Sequence, residues 1–296
     1  MVKGSTKIIF FLAFLLLILL TGSSTKSLVR QERKTEFDKV EKRYLNVINN
    51  ITKKYPLDPL FVLALIKAES GFDQWAISSV GAAGPAQLMP QIAEELGMRV
   101  YMPSWYKEAW EKVDVAKRYS KEATEKLAEI SYKKGWKENN KLAMEAMHSL
   151  ILANWYREQA HEIFKRYKTT LFTKVNGKSD AELSTIDERF IISKAIKVCV
   201  RFLTENAQTL GEDWRVLASS YNAGLTRVLE SGGIPFLEET VTFQNRVMRF
   251  YKEYYLKNKF SHKIFKKGVE NGNLYDATWR GSSQGKGSTA GPLTRR

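Results

Sequence analysis

The long middle of the chain, residues 98–185, never alternates apolar and polar residues as a half-buried strand must. Apolar residues recur there at three- and four-residue steps instead, as in Leu142, Ala146, Leu150, Ala153 and Phe164, among many Lys, Glu, Trp and Tyr. Side chains at that spacing share one face of a helix, so the stretch predicts two or three packed helices. A structureless loop of this length is rare in a compact domain, which also favours a packed helical insertion. Upstream, Phe37, Val40, Tyr44, Val47, Ile48 and Ile51 mark the apolar face of another helix. A third begins at Asp58, which can cap it, with Pro59 suited to its first turn, Leu60, Leu63, Ala64 and Ile66 on its apolar side, and Gly71 to end it. Further helices are predicted over about 187–206 and about 213–222. The fold class is therefore mainly α.

With 44% apolar residues, a chain of 296 residues can bury a full core, so one domain plus an embellishment is expected. The single cysteine, Cys199, excludes an internal disulfide and reads as a small buried apolar residue. The histidines, His148, His161 and His262, lack metal-ligand spacing, and neither a metal nor a cofactor is expected. A formal charge of +15 implies affinity for polyanions. Lys3 and Lys7 precede an unbroken apolar run from Ile8 to Leu20, and small polar residues follow, which is the layout of a secretory signal peptide. At ~1.5 Å per residue that run covers about 20 Å, short of the ~30 Å hydrocarbon core, so cleavage is favoured over a retained inner-membrane anchor through residues 8–20. Export to the periplasm or cell envelope turns the expected polyanion away from nucleic acid and toward anionic wall polymers or membrane.

Glu69 falls in the last turn of the Asp58 helix, where the negative end of the helix dipole disfavours a second negative charge. The sign suits a general acid, because it favours the proton-bearing form. The size does not suffice. A dipole effect of ~0.3–1 kcal/mol moves a pKa by less than one unit, so an apolar cleft must supply the rest. Ser78 to Pro90 follows, with Gly81 and Gly84 three apart among small residues, a composition that allows close backbone approach and exposes peptide groups to a ligand.

Four stretches in order, Ala68-Glu69-Ser70-Gly71-Phe72, then Ser78 to Pro90, then Ala218 to Gly224, then Glu239 to Phe243, resemble the motifs of the soluble lytic transglycosylase family. The resemblance implies a goose-type lysozyme-like helical fold and cleavage of peptidoglycan glycan strands. It makes Glu69 the catalytic acid and base, with Ser70 orienting that region. Ser78 falls near the cleft, Gln87 ends the glycine loop, and Tyr221 brings its hydroxyl close to the catalytic carboxyl. Asn222 holds the turn, and Glu239 is a structural or substrate-side hydrogen-bond partner. Two departures stand out. Pro85 and Ala86 occupy positions where the family carries Leu and Met, which removes bulk from the cleft wall, and Phe243 stands where the family carries Tyr.

Ordinary glycosidases need two carboxylates, whereas the motifs supply one. The resemblance therefore implies a reaction in which the substrate's N-acetyl group assists and Glu69 deprotonates the 6-hydroxyl, giving a 1,6-anhydro sugar. Asp73, four residues on, is the nearest second carboxylate and reads as a solvated surface residue. The alternatives are a lysozyme-type muramidase and a non-catalytic wall-binding module. The predicted organisation is a signal or anchor at 1–24, an amphipathic helix or linker at 25–50, a catalytic domain from 51–97 and 186–250, a helical insertion at 98–185, and a basic tail at 251–296. That tail, with ten Lys/Arg against three Asp/Glu and a partly disordered end, could meet an anionic wall or membrane surface.

Overall fold

In a computed structural model, residues 37–266 are described. The export segment 1–24 and the end of the basic tail, 267–296, lie outside them. Among the described residues there are ten α-helices, one short 3-10 helix and no strand.

Helix α1 (Lys39–Thr52) opens with Asp38 accepting from the Glu41 N–H while Glu41 returns a bond to the Asp38 N–H. Helix α2 (Pro59–Ser70) starts as the sequence predicts, with Asp58 accepting from the Leu60 N–H and Pro59 at its first position. Gly71 ends it at φ 64°, in the left-handed region. The one-sided apolar face expected for α2 is corrected by the structure: every residue from Leu60 to Ile66 is buried. A helix that is apolar all round belongs at the centre of a core, and α2 is that centre. Around it pack α1, α7 (Ile192–Leu210), α8 (Trp214–Ala223) and α10 (Glu238–Lys266), contributing Tyr44, Ile48, Ile196, Leu203, Leu217, Phe243, Val247 and Tyr254.

One buried carboxylate ties three of these helices together. Glu41 accepts from Lys67 at 3.0 Å, Tyr254 Oη at 3.0 Å and Lys257 at 2.9 Å. Burial alone would raise its pKa, but Lys257, the Asp38 N–H and Lys67 together hold it below the usual carboxylate range. Helix α10 thus runs past residue 250, where the sequence predicts the basic tail to begin, and Tyr251, Tyr254 and Lys257 belong to the folded body. Helix α1 likewise crosses the predicted border at residue 50 and packs on the core.

Between the glycine loop and α7 the chain makes α3 (Pro90–Glu95), α4 (Ser104–Ala128), α5 (Trp136–Val175), α6 (Asp180–Ile186) and the 3-10 turn Glu188–Phe190. The helix predicted from about 187 begins only at Ile192, because Asp187 caps the 3-10 turn instead. Helices α4 and α5 pair along their length as an arm. Its seam is lined by small residues, Ala109, Ala116 and Ala123 on α4 against Ala146, Ser149, Ala153 and Ala160 on α5, which permits close approach of the two backbones. At the base the seam widens into a second core of Tyr106, Phe164, Tyr167, Leu171, Val175 and Phe190. Of the predicted stripe, Ala146, Ala153 and Phe164 are buried, whereas Leu150 is exposed. The last short helix, α9 (Leu225–Glu230), links α8 to α10.

Candidate active site

Glu69 stands one residue from the end of α2, and its partly exposed side chain makes no hydrogen bond among the described residues. Burial pushes its pKa up from the ordinary 4.5 to about 8; Arg246, in the third turn of α10, lowers it, and Glu239, in the first turn of the same helix, raises it. Desolvation is thus the leading cause, and the charges of α10 modulate it. An unpaired carboxyl that keeps its proton at neutral pH can donate that proton to a leaving oxygen and then take one back.

The neighbouring groups fix the glycine loop against this carboxyl. Ser70 Oγ donates to the Pro85 carbonyl at 2.8 Å, and accepts from the Phe72 N–H at 3.1 Å. Tyr221, on α8, donates from Oη to the Ala86 carbonyl at 2.7 Å. Burial raises the Tyr221 hydroxyl well above its ordinary value, and the nearby Cys199 and Glu69 push it the same way, so it stays a neutral donor. Cys199 lies fully buried beside Tyr221, its thiol pushed to about 12, and is a packing residue as the sequence predicts. The two carbonyls that anchor the loop over the helix end therefore belong to Pro85 and Ala86.

The structure corrects the expected loss from the cleft wall at those positions. Pro85 and Ala86 are both buried, Ala86 with no exposed surface, so their side chains are part of the packing behind the loop. Phe243 is also buried, and the Arg246 guanidinium stands 5.6 Å from its ring centre.

The loop itself closes inward. Isolated antiparallel bridges join Ile77 to Ala83 and Ala83 to Leu88. Ser78 Oγ accepts from Ala82 N at 2.9 Å and from Val80 N at 3.3 Å, a turn internal to the loop. Gln87, at φ 46°, gives its amide to the carbonyls of Gly84 and Ala76 at 2.9 and 3.1 Å. The glycines serve close approach, but toward the protein's own backbone. A Cβ on Gly84 would lie 1.9 Å from the Arg189 carbonyl oxygen, and the residue sits at φ 76°.

Asn222 Oδ1 accepts from Thr240 Oγ1 at 2.9 Å, joining the end of α8 to the start of α10. Glu239 is exposed and reaches Glu69 only through its charge. Asp73 is exposed and accepts from the Trp75 N–H at 2.8 Å, a turn-forming bond. Glu69, Ser70, Tyr221 and Glu239 are thus gathered at one end of α2, while Ser78 and Gln87 spend their polar groups inside the loop.

Two groups escape the sequence reading. Arg246 acts on Glu69 from α10, three residues beyond the end of the fourth motif. Arg189 is fully buried and uses all five of its N–H groups: Nε and one Nη2 donor to Asp187 at 3.0 and 2.7 Å, the other Nη2 donor to Tyr167 Oη at 2.9 Å, and Nη1 to the carbonyls of Gly81 and Leu88 at 2.9 and 3.0 Å. That clamp binds both ends of the glycine loop to the base of the arm. The only signal in the sequence is the pair Asp187 and Arg189, two residues apart, which resembles any solvated pair of charges.

A helical body built around one buried helix, with Glu69 at that helix's end, agrees with the lysozyme-like helical fold of the transglycosylase SLT domain. Residues 46–141 match the family model of the transglycosylase SLT domain, the family whose motifs the sequence resembles. The match runs from α1 through α2, the glycine loop, α3 and α4 into the start of α5. This family is associated with glycan-cleaving lytic transglycosylases of the cell wall. No solved structure matches the chain.

Proposed function

We propose that the protein is a peptidoglycan lytic transglycosylase that cleaves the β-1,4 bond between N-acetylmuramic acid and N-acetylglucosamine, with Glu69 as its single general acid and base. The observation that carries this reading is the state of Glu69: desolvated, free of hydrogen bonds among the described residues, and held near a pKa of about 8. Such a carboxyl is protonated before the reaction and can give its proton to the leaving 4-oxygen. As the carboxylate it then takes the proton from the 6-hydroxyl of the muramic residue, whose oxygen closes on the anomeric carbon. The anhydro product forms and no water is consumed.

Arg246 steadies the carboxylate that exists between the two proton transfers, because it favours the charged form. Glu239 opposes it and keeps the resting site protonated. Tyr221 and Ser70 act on the reaction through the loop, holding Pro85 and Ala86 in place. Neither Asp73 nor Glu239 provides a second catalytic group in this reading. Asp73 is committed to a turn, and Glu239 remains in solvent. Export and an envelope location follow from the substrate.

The test is to incubate the purified protein and its Glu69→Gln variant with peptidoglycan sacculi and weigh the released muropeptides. Products lighter by one water than hydrolytic muropeptides, absent with Glu69→Gln, are expected. Products of hydrolytic mass would make the protein a muramidase, and no products from either protein would leave it a wall-binding module.

A further inference from the structure

Beyond Val113 and Ala160 neither hydrophobic core extends, so the distal part of the arm is two helices whose partner is each other. Helix α5 carries a second apolar stripe there. Trp136, Met144, Met147, Ile151 and Trp155 are exposed by 78%, 55%, 49%, 57% and 48% of their surface. At about 100° per residue these five fall within one third of the helix circumference, nearly opposite the alanine seam. The stripe is about 29 Å long, and at its end the connecting loop adds Tyr132, which is 93% exposed. Such a surface is larger than the scattered apolar residues a free protein exposes, and needs an occupant.

The charges beside it identify one. Lys133 and Lys137 adjoin the two most exposed aromatic residues of the arm, Tyr132 and Trp136, and neither forms an ion pair among the described residues. Lys134, by contrast, is engaged with Glu129 and Glu138. Protein interfaces concentrate Trp and Met but are depleted in Lys. A bilayer surface suits both at once: the rings of Trp and Tyr sit at the headgroup level, Met and Ile reach the acyl boundary, and lysines stretch back to the phosphates. No helix among the described residues is long and apolar enough to cross a membrane, so the arm would lie on the surface.

We propose that the distal arm is a docking surface for an anionic lipid bilayer, with the Trp136 to Trp155 stripe facing the acyl boundary and Lys133 and Lys137 at the headgroups. The loop geometry presents Tyr132 ready-made, because Asn139 pins it through bonds to the Ser131 N–H and to the carbonyls of Ser131 and Lys134. The arm binds as a preformed element and orders nothing on contact.

The test uses the full chain with Tyr132→Cys carrying an environment-sensitive fluorophore, and a control chain labelled at Thr173→Cys near the base of the arm. Cys199 does not compete, since it is buried and its thiol is raised to about 12. Vesicles of mixed phosphatidylcholine and phosphatidylglycerol are expected to blue-shift the label at 132 and leave that at 173 in water. Phosphatidylcholine alone or high salt should abolish the shift. Trp136→Ser with Trp155→Ser should raise the lipid concentration that gives half the shift about tenfold while the thermal melt stays unchanged, since about half or more of each side chain is in solvent. The label at 132 remaining in water while the chain floats with the vesicles would overturn the proposal. So would a shift that grows with protein concentration alone, which would mark a second copy as the occupant, or one that only sacculi produce, which would mark the wall.

Discussion

Replacing Glu69 by Gln should make the protein more stable in alkali and leave it unchanged in acid. The folded carboxyl has its pKa pushed from 4.5 to about 8, chiefly by burial, while in the unfolded chain it returns to the ordinary value. Between those two pH values the native state binds the proton that the unfolded state has released. The wild type is therefore destabilised as pH rises through this window, and the loss is complete above about pH 8. At 1.36 kcal/mol per pH unit, the span from 4.5 to about 8 sets a ceiling of about 5 kcal/mol. The side chain is partly exposed, and water reaching the carboxylate reduces the effect, so about 2 kcal/mol is expected. Gln keeps the shape and cannot ionise, so the variant escapes the penalty. Urea denaturation of both proteins at pH 5, 7 and 9 measures it: the curves should nearly coincide at pH 5 and separate progressively, with the variant more stable. A difference that stays constant within about 0.5 kcal/mol from pH 5 to 9 would mean that the folded carboxyl is as well hydrated as the unfolded one, and the account of the site by burial would fail.

Three further outcomes follow from the same geometry. Arg246→Met removes the cation that lowers the Glu69 pKa, so the alkaline limb of the pH profile for sacculus cleavage should move upward, and added salt should move the wild type in the same direction. Arg189→Met leaves Asp187 buried and uncompensated and should cost about 3–5 kcal/mol in urea, part of which the double variant Asp187→Leu with Arg189→Met recovers. Gly84→Ala forces a Cβ to within 1.9 Å of the Arg189 carbonyl oxygen at a positive φ, and should lower stability by more than about 3 kcal/mol in a thermal melt together with loss of cleavage.

The caps and breaks of α2 were legible because their chemistry is local: Asp58, Pro59 and Gly71 each act within a turn of their own position. The central burial of α2 was less so, since an unbroken apolar run from Leu60 to Ile66 hides which neighbours cover the second face. The expected border at residue 250 falls inside α10 because the chain turns basic after Tyr255, yet one of those lysines, Lys257, is neutralised by Glu41 more than two hundred residues away. Pairings over such a distance leave no periodic trace. The same holds for Arg189. Its charge reads as surface, and only the three-dimensional meeting of Asp187, Tyr167 and two loop carbonyls makes it an interior residue. At the site, the order of the motifs pointed to Glu69, Ser70 and Tyr221 as neighbours, but spacing could not reveal that Ser78 and Gln87 turn their polar groups into the loop.

The alanine seam of the arm has a metric consequence. Ala109, Ala116 and Ala123 stand seven residues apart, and so do Ala146, Ala153 and Ala160 on the opposing helix. Deleting 116–122 together with 153–159 would bring Ala123 into the place of Ala116 and Ala146 into that of Ala153 while Ala109 and Ala160 stay at the base, restoring the register. Each such pair of deletions retracts the tip by about 10 Å and leaves Glu69, the loop and the Arg189 clamp where they are. The arm is in that sense a graduated spacer, whose reach can be set in steps of two helical turns independently of the body that carries Glu69.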